Sequence, residues 1–136
     1  MIIGFTGTQE GMTKYQYDSV VQVCSALPII EFHHGDCVGA DAQAHGIAKW
    51  ILNCKIHIHP PTNKIKRAFK SGNVIYVEKP YSERNRNIVD ICEFLIATPK
   101  SKLEEIRSGT WATIRYARKK NKKMCIIYPD GSTTLS

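Results

Sequence analysis

The sequence predicts an α/β protein, a three-layer sandwich in which helices cover both faces of a mostly parallel sheet. Short apolar runs typical of buried strands recur along the chain, and stretches with a helical apolar period separate them. Strands that alternate with helices pair in parallel, because each crossover returns the chain to the same edge of the sheet. At 136 residues the chain fits a single domain, residues 1–136, which can bury a core without disulfides or metal.

The predicted elements follow one another in a regular order. Strands are expected at Ile2 to Phe5, Ile29 to His33, Lys55 to His59, Phe94 to Ala97 and Met124 to Tyr128. Helices are expected at Thr13 to Ala26, Ala40 to Leu52, Tyr81 to Cys92 and Thr110 to Lys120. The stretch Thr62 to Lys79 is predicted as a long loop or a weak extra strand around Val74 to Val77, and the tail Pro129 to Ser136 as turns.

Composition indicates a globular protein with anionic partners. The hydrophobic fraction of 43% and the charged fraction of 23% are ordinary, whereas the net charge of +7 favours nucleotides, nucleic acid or other anions. The five cysteines include no CxxC pair, which predicts reduced, buried thiols and a cytoplasmic location. The start MIIGFTGT has no basic region and is too short for a signal peptide or membrane span, so no membrane association is expected.

Glycine and small polar residues follow most of the predicted strands. Ligands of open parallel sheets bind beyond the carboxyl ends of the strands, where backbone can approach phosphate or ribose closely. The loops that leave these ends are Gly7-Thr8-Gln9, Gly35 to Asp41, Pro60-Pro61 and Ser108-Gly109-Thr110. The last of them begins a helix, whose free N–H groups and positive dipole end suit an anion. Together they predict a nucleotide or sugar-phosphate site.

The loop HHGDCVGAD has two possible uses for its carboxylates. Gly35 and Gly39 are expected to relax the strand-to-helix turn, while Asp36 or Asp41 accepts hydrogen bonds from ribose hydroxyls. Asp41 is also placed to cap the helix that follows, and one side chain can serve both roles. Both uses stay open at this point.

Arginines on the helix before Phe94 are candidates for phosphate contacts. Arg84 and Arg86 in the segment ERNR can supply charge-assisted hydrogen bonds to an anion at the Ser108-Gly109-Thr110 turn, and Arg107 adjoins that turn. Charged residues on a helix are otherwise typical of a solvated face. Their place before a strand that leads to this turn favours the binding interpretation.

The histidines and the basic segments carry weaker signals. Alternation along a strand places His57 and His59 on one face, but no cysteine or carboxylate spacing completes a metal site, so no metal is expected and hydrogen-bonded histidines near a pocket are favoured. The basic residues around Lys64 to Lys70 and Arg118 to Lys123 lack interleaved aromatics, which favours solvated surface over a nucleic-acid interface. Walker and GxGxxG motifs are absent from the sequence.

With these residues in place, the chain resembles the SLOG superfamily, the Rossmann-like group that includes the Lonely Guy phosphoribohydrolases and the DNA-processing A proteins. The resemblance runs through most of the chain, on the segments GFTGTQEG, HHGDCVGAD, ERNRNIVDICEFLIATP and RSGTWAT. It implies a nucleotide-binding Rossmann-like domain, and it also implies a homo-oligomer.

The resemblance also bears on catalysis. Lonely Guy enzymes have an Arg-Lys pair before the strand and a Gly-Thr turn followed by a Glu that helps to cleave an N-glycosidic bond. Arg84 and Asn85 fall on the pair, and Gly109-Thr110 match the turn, but Thr113 stands where the Glu is expected. The segments ERNR and SGTWAT look closer to the DNA-processing A proteins, which bind single-stranded DNA. Other members are similar in sensing nucleotide-derived signals such as ADP-ribose relatives.

We therefore expect non-catalytic binding of a nucleotide-derived small molecule, such as an ADP-ribose-like compound, by a sensor or sponge with no fused output module. No cofactor is expected. Two alternatives stay open: a nucleoside 5′-monophosphate phosphoribohydrolase using Glu83, Asp36 or Asp41, and a protein that binds single-stranded DNA. The expected ligand-binding residues are Gly7, Thr8, Gln9, Gly35, Asp36, Gly39, Asp41, Arg84, Asn85, Arg86, Ser108, Gly109, Thr110 and Thr113.

Overall fold

A computed structural model describes all 136 residues. Its strands are β1 (Ile2–Gly7), β2 (Glu31–His34), β3 (Lys55–Ile58), β4 (Val74–Ile75), β5 (Phe94–Thr98), β6 (Met124–Ile127) and β7 (Thr133–Leu135). Its helices are α1 (Lys14–Ser25), α2 (Ala40–Gly46), α3 (Tyr81–Ile91) and α4 (Gly109–Lys119). The predicted α/β class is confirmed.

The seven strands form one sheet in the order β4-β3-β2-β1-β5-β6-β7. All neighbours pair in parallel except β6 and β7, which are antiparallel. The central strand β1 reads as a near-continuous apolar run, since parallel strands in the middle of a sheet are covered on both faces. The chain adds β2, β3 and β4 on one side of β1 and then crosses to β5 on the other side, which creates a switch point between β1 and β5.

Two apolar clusters hold the layers together. One packs α1, α2 and the segment after α2 against side chains such as Phe5, Phe32 and Ile58. The other packs α3 and α4 against Leu95 and Met124 and their neighbours. Both clusters contain fully buried aliphatic or aromatic side chains, so hydrophobic burial on the two faces of the sheet fixes the three-layer order.

Three predictions about local structure need correction or refinement. The predicted turn-like tail is wrong: residues Thr133–Leu135 form β7, which pairs with β6 and whose side chains are all exposed, so no apolar alternation marks it. The predicted second helix is divided, because α2 continues as π-helical turns over Ile47–Leu52 and ends at Asn53, which has φ 51°. The weak extra strand near Val74 exists as the two-residue β4.

Side-chain hydrogen bonds fix the first helix on the sheet. Thr13 and Gln16 form a reciprocal capping box at the start of α1. The Gln16 amide, fully buried, also donates to the carbonyls of Pro99 (2.8 Å) and Ile127 (3.0 Å). It thereby links α1 to the ends of β5 and β6.

None of the helices combines the length and the apolar character needed to cross a membrane. All five cysteines are free thiols, and four of them are buried. Burial raises the pKa of the Cys24 thiol to about 12 and that of Cys92 to about 11, which leaves both protonated and unreactive at neutral pH.

Candidate functional site

A cavity of about 550 Å³ opens at the carboxyl ends of β1, β2 and β5. Gly7 ends β1, Gly35 follows β2, and Lys100 follows β5. The cavity therefore lies at the switch point of the sheet, where open α/β proteins bind their ligands. Its volume falls in the range of about 300 to 1,000 Å³ typical of small-molecule sites.

Ten of the fourteen residues predicted from sequence line this cavity: Gly7, Thr8, Gln9, Gly35, Asp41, Arg84, Asn85, Ser108, Gly109 and Thr110. The other four, Asp36, Gly39, Arg86 and Thr113, do not line it. The strand-end loops thus converge as predicted, and the four exceptions each have a structural explanation given below.

The turn after β1 brings backbone to the cavity wall. Gly7 packs so closely on Thr98 and Ala40 that a Cβ would collide with both, so only glycine fits there. The Thr8 hydroxyl accepts the N–H of Glu10 at 3.2 Å, which shapes the turn. The N–H of Gln9 has no hydrogen-bond partner in the protein and is free for a ligand.

The start of α4 is the most open part of the site. The Ser108 hydroxyl caps the helix by accepting the Trp111 N–H at 3.2 Å. The N–H groups of Gly109 and Thr110, the first two helical positions, have no partner in the protein. Arg107 lines the cavity next to this helix start; its side chain is exposed and forms no ion pair. This corner combines unpaired donors, the positive end of the helix dipole and a free guanidinium.

The carboxylate of Asp36 is used inside the protein. It is fully buried and accepts hydrogen bonds from Arg67 Nε (3.1 Å) and the backbone N–H of Lys70 (2.9 Å). Arg67 also pairs with Glu78 at 2.9 Å, so the basic loop folds back over the turn after β2. Asp36 does not line the cavity, because its oxygens are engaged by that loop.

Asp41 does reach the cavity, but it is not a helix cap. The cap position of α2 is Gly39, and the Asp41 carboxylate instead accepts the Cys37 N–H at 3.1 Å. Desolvation raises the pKa of Asp41 to about 6, and the nearby Arg84 guanidinium partly offsets that effect. A carboxyl that titrates near neutral pH inside a cavity is a candidate proton donor or acceptor.

Arg84 lines the cavity while serving as an internal brace. Its side chain donates to the carbonyls of Gly35 and His59 (3.2 Å for His59), to the Asn85 side chain (2.7 Å) and to the Cys37 sulfur (3.6 Å). Only one of the five guanidinium N–H donors is left for a ligand. Arg84 is also buried, so its first role is to hold the turn after β2 against α3.

The remaining predicted residues lie outside the cavity. Gly39 has φ 86°, and a Cβ there would collide with the Gln9 carbonyl, so its glycine is needed for the turn. Arg86 is exposed, with its guanidinium 5.9 Å from the centre of the Tyr116 ring. Thr113 is buried and its hydroxyl donates to the Gly109 carbonyl at 2.9 Å. Glu83 is exposed and pairs with Lys79 at 3.8 Å, away from the cavity.

Sequence reasoning missed several cavity residues. Tyr81 and Cys37 line the wall next to Arg84, and Lys100 pairs with Glu10 at 3.2 Å near the two strand ends. Glu105 lines the same cavity from the loop before α4. Glu10 directly follows the loop Gly7-Thr8-Gln9, and Lys100 lies two residues after β5, so their positions in sequence were an available signal.

The lining carries both signs of charge. Arg84, Lys100 and Arg107 are basic, whereas Glu10, Asp41 and Glu105 are acidic. The free donors are concentrated at the start of α4, and the acidic groups supply acceptors elsewhere on the wall. Such a surface suits a ligand that has both an anionic group and hydroxyl groups.

The histidines form a network on the sheet next to the cavity. His33 contacts His59 through ring nitrogens at 2.9 Å, and the His59 carbonyl accepts from Arg84. The prediction that they are hydrogen-bonded is confirmed. The argument that no carboxylate completes a metal cluster is wrong, because Glu31 lies 3.0 Å from His33 Nε2 and 3.5 Å from His57 Nε2.

Comparison of the chain with protein-family models, with curated proteins and with solved structures returned no match. The resemblance to the SLOG superfamily therefore rests on the sequence segments alone.

Proposed function

We propose that the cavity binds a nucleotide-derived small molecule, a phosphorylated nucleoside of the ADP-ribose type, and does not cleave it. One observation carries the proposal: the unpaired N–H groups of Gly109 and Thr110 lie beside the unpaired Arg107 at the cavity wall. A phosphate at this corner gains backbone hydrogen bonds, the helix dipole and a charge-assisted contact together.

The other lining residues suit the rest of such a ligand. Glu10 and Glu105 provide acceptors for ribose hydroxyls, and the Gln9 N–H provides one further donor. The Tyr81 ring lies at the wall and offers an aromatic surface for a base. The cavity volume is sufficient for a ligand of this class.

Thr113 supports binding without cleavage. This residue occupies the position of the carboxylate that the resemblance to Lonely Guy enzymes implies, yet its hydroxyl is engaged by the Gly109 carbonyl within α4. It carries no charge and does not line the cavity. We infer a binding protein that senses or sequesters its ligand.

The test begins with native mass spectrometry of the purified protein, followed by denaturation and identification of any released small molecule. Calorimetry with ADP-ribose and nucleoside 5′-monophosphates then measures affinity.

We expect one ligand per chain, and Arg107→Ala should weaken binding about 10- to 100-fold, as for a hydrogen bond to a charged group. Lys102→Ala is the matched control, because Lys102 is an exposed cation of the same loop outside the cavity. Failure of every compound to bind better than millimolar would overturn the proposal.

A second function, hydrolysis of a nucleoside 5′-monophosphate, is favoured by one feature. Of the three carboxylates considered from sequence, only Asp41 lines the cavity, and its pKa of about 6 suits proton transfer near neutral pH. Release of free base, measured by chromatography and lost in Asp41→Asn, would replace the binding proposal with this one. Binding of a single-stranded DNA oligonucleotide, with an affinity that falls steeply as the salt concentration rises, would instead support single-stranded DNA as the ligand.

A further inference from the structure

A second group of polar side chains lies on β2 and β3, and none of its three members lines the cavity. Glu31 and His33 alternate along β2, and His57 is the register partner of His33 on β3. Alternation and register place all three on one face, the face of Gly4 that contacts α3. Their ligand-type atoms lie within 4.8 Å of one another.

Both imidazoles aim the same ring nitrogen at one carboxylate oxygen. His33 Nε2 lies 3.0 Å and His57 Nε2 lies 3.5 Å from Glu31 Oε1. The two rings stack with centroids 4.4 Å apart. The two nitrogens therefore share this oxygen as a contact, which brings three possible ligand atoms together between the strands.

The opposite ring nitrogens have orienting partners. His33 Nδ1 lies 2.9 Å from His59 Nε2, and His57 Nδ1 lies 3.0 Å from the Tyr76 hydroxyl. Without an ion, His33 Nε2–H can donate to the Glu31 carboxylate. With an ion bound, each Nδ1–H donates to its partner and each Nε2 offers its lone pair to the ion. Metal-binding histidines are held in this way, with the second ring nitrogen engaged by a fixed neighbour.

We propose that Glu31, His33 and His57 bind a divalent transition-metal ion of the zinc class. Tetrahedral zinc with ligand bonds of about 2.0 to 2.1 Å places its donor atoms about 3.3 Å apart. The contacts of 3.0 and 3.5 Å bracket that separation. Two imidazoles and one carboxylate are a donor set that zinc and related divalent ions accept.

The site is open on one side. His33 is fully buried and forms its floor, whereas the side chains of Glu31 and His57 are 28% and 13% exposed. Solvent can therefore reach the ion and supply the remaining ligand. Three protein ligands with one open position are typical of zinc sites that do chemistry, in contrast to closed structural sites with four protein ligands.

The test uses the full chain freed of metal by a chelator and then titrated with Zn²⁺ in a calorimeter. We expect one ion per chain, and we expect Glu31→Gln and His57→Gln each to weaken binding more than about 100-fold, since each removes a ligand. His45→Gln is the matched control, because His45 contacts His34 and not the cluster. Glu31→Gln should keep the fold, as Glu31 is partly exposed at the start of β2.

Two further measurements separate this site from chance binding. Tyr76→Phe removes the orienting oxygen but no ligand, so its affinity should fall about 10- to 100-fold while one ion still binds. Replacement of Zn²⁺ by Co²⁺ should give the visible spectrum of a nitrogen- and oxygen-ligated ion without thiolate charge-transfer bands. No binding at micromolar metal, thiolate bands from the free cysteines, or an affinity in Glu31→Gln and His57→Gln equal to that of the unsubstituted protein would overturn the proposal.

Discussion

The turn after β2 and the turn that begins α4 both meet the same cavity, and both carry glycine with small polar side chains. In the first turn the polar groups are already paired within the protein: Asp36 with Arg67, Asp41 with the Cys37 N–H, and the Gly35 carbonyl with Arg84. In the second, the N–H groups of Gly109 and Thr110 have no partner.

This difference separates support from recognition. A polar group whose hydrogen bonds are satisfied inside the protein gains little from a ligand, because it must first lose an existing partner. An unpaired N–H at a helix start has no protein partner to lose, so its hydrogen bond to a ligand contributes fully to binding. We therefore propose that the first turn serves stability and the second serves ligand binding, a division that substitutions in each turn can test.

The largest expected effect is on the first turn, in Asp36→Asn. Asn tolerates the positive φ of 56° at this position, so the change removes mainly the charge that pairs with the largely buried Arg67. Loss of one partner of a buried ion pair should lower the free energy of unfolding by about 3 to 5 kcal/mol, measured by urea denaturation. Glu78→Gln removes the more exposed partner of the same arginine and should cost less than about 1 kcal/mol. Equal costs for the two variants would argue against this account of the turn.

Arg84→Met tests the brace between the first turn and α3. Met fills much of the same volume but leaves the Gly35 and His59 carbonyls without these donors, which should lower the free energy of unfolding by about 2 to 4 kcal/mol. Arg86→Met is the control on the exposed side of the same helix, where the loss of the contact with Tyr116 should cost less than about 1 kcal/mol. A stability loss near zero for Arg84→Met, with greatly weakened ligand binding, would move Arg84 from support to recognition.

Asp41 gives a pH-dependent test of the same turn. Its pKa is raised from the ordinary 3.8 to about 6 on folding, so the folded chain holds this proton more tightly than the unfolded chain. The contribution of Asp41 to stability therefore falls as pH rises from about 4 to 6. The free energy of unfolding is measured by denaturation at each pH for both proteins. From pH 4 to pH 7, the value for Asp41→Asn should rise by about 2 kcal/mol relative to that of the unsubstituted protein. A constant difference across that range would show that Asp41 does not carry the raised pKa.

Much of the fold could be predicted because its signals are local. The apolar runs of β1, β5 and β6 and the capping residues Thr13 and Ser108 mark their elements directly in the sequence. The strand β7 could not be predicted in this way, since its three side chains are exposed and its pairing with β6 depends on a turn after Pro129. The π-helical turns after α2 likewise leave no sequence pattern distinct from that of an α-helix.

The candidate site likewise has features that local sequence signals predict and features that depend on distant contacts. Strand-end loops meet because parallel strands share one edge, so Gly7, Gly35 and Gly109 could be placed together from sequence. The use of Asp36 could not be predicted, because its partner Arg67 is brought back by a basic loop 31 residues away. The convergence of Glu31 with His57 required the register of β2 and β3, which no local pattern reveals.

The smallest expected effect concerns the second turn and isolates a single N–H group. Gly109 is the first residue of α4, and a proline there fits the helix start, because the preceding Ser108 is extended, with φ −75° and ψ 127°. A Cβ at Gly109 meets nothing within 4 Å, so side-chain bulk adds no clash in the protein. Gly109→Pro should therefore keep or raise the stability while removing one donor to the ligand.

The affinity of Gly109→Pro for the ligand identified by mass spectrometry should fall about 10-fold, the value for one hydrogen bond to a charged group. Gly109→Ala is the control, since it keeps the N–H and adds only a methyl group in open space. Calorimetry on both variants, with thermal denaturation beside it, separates loss of binding from loss of fold. If the proline and alanine variants bind the ligand equally well, the Gly109 N–H does not contact the anion, and recognition must lie with the Thr110 N–H and the side chain of Arg107.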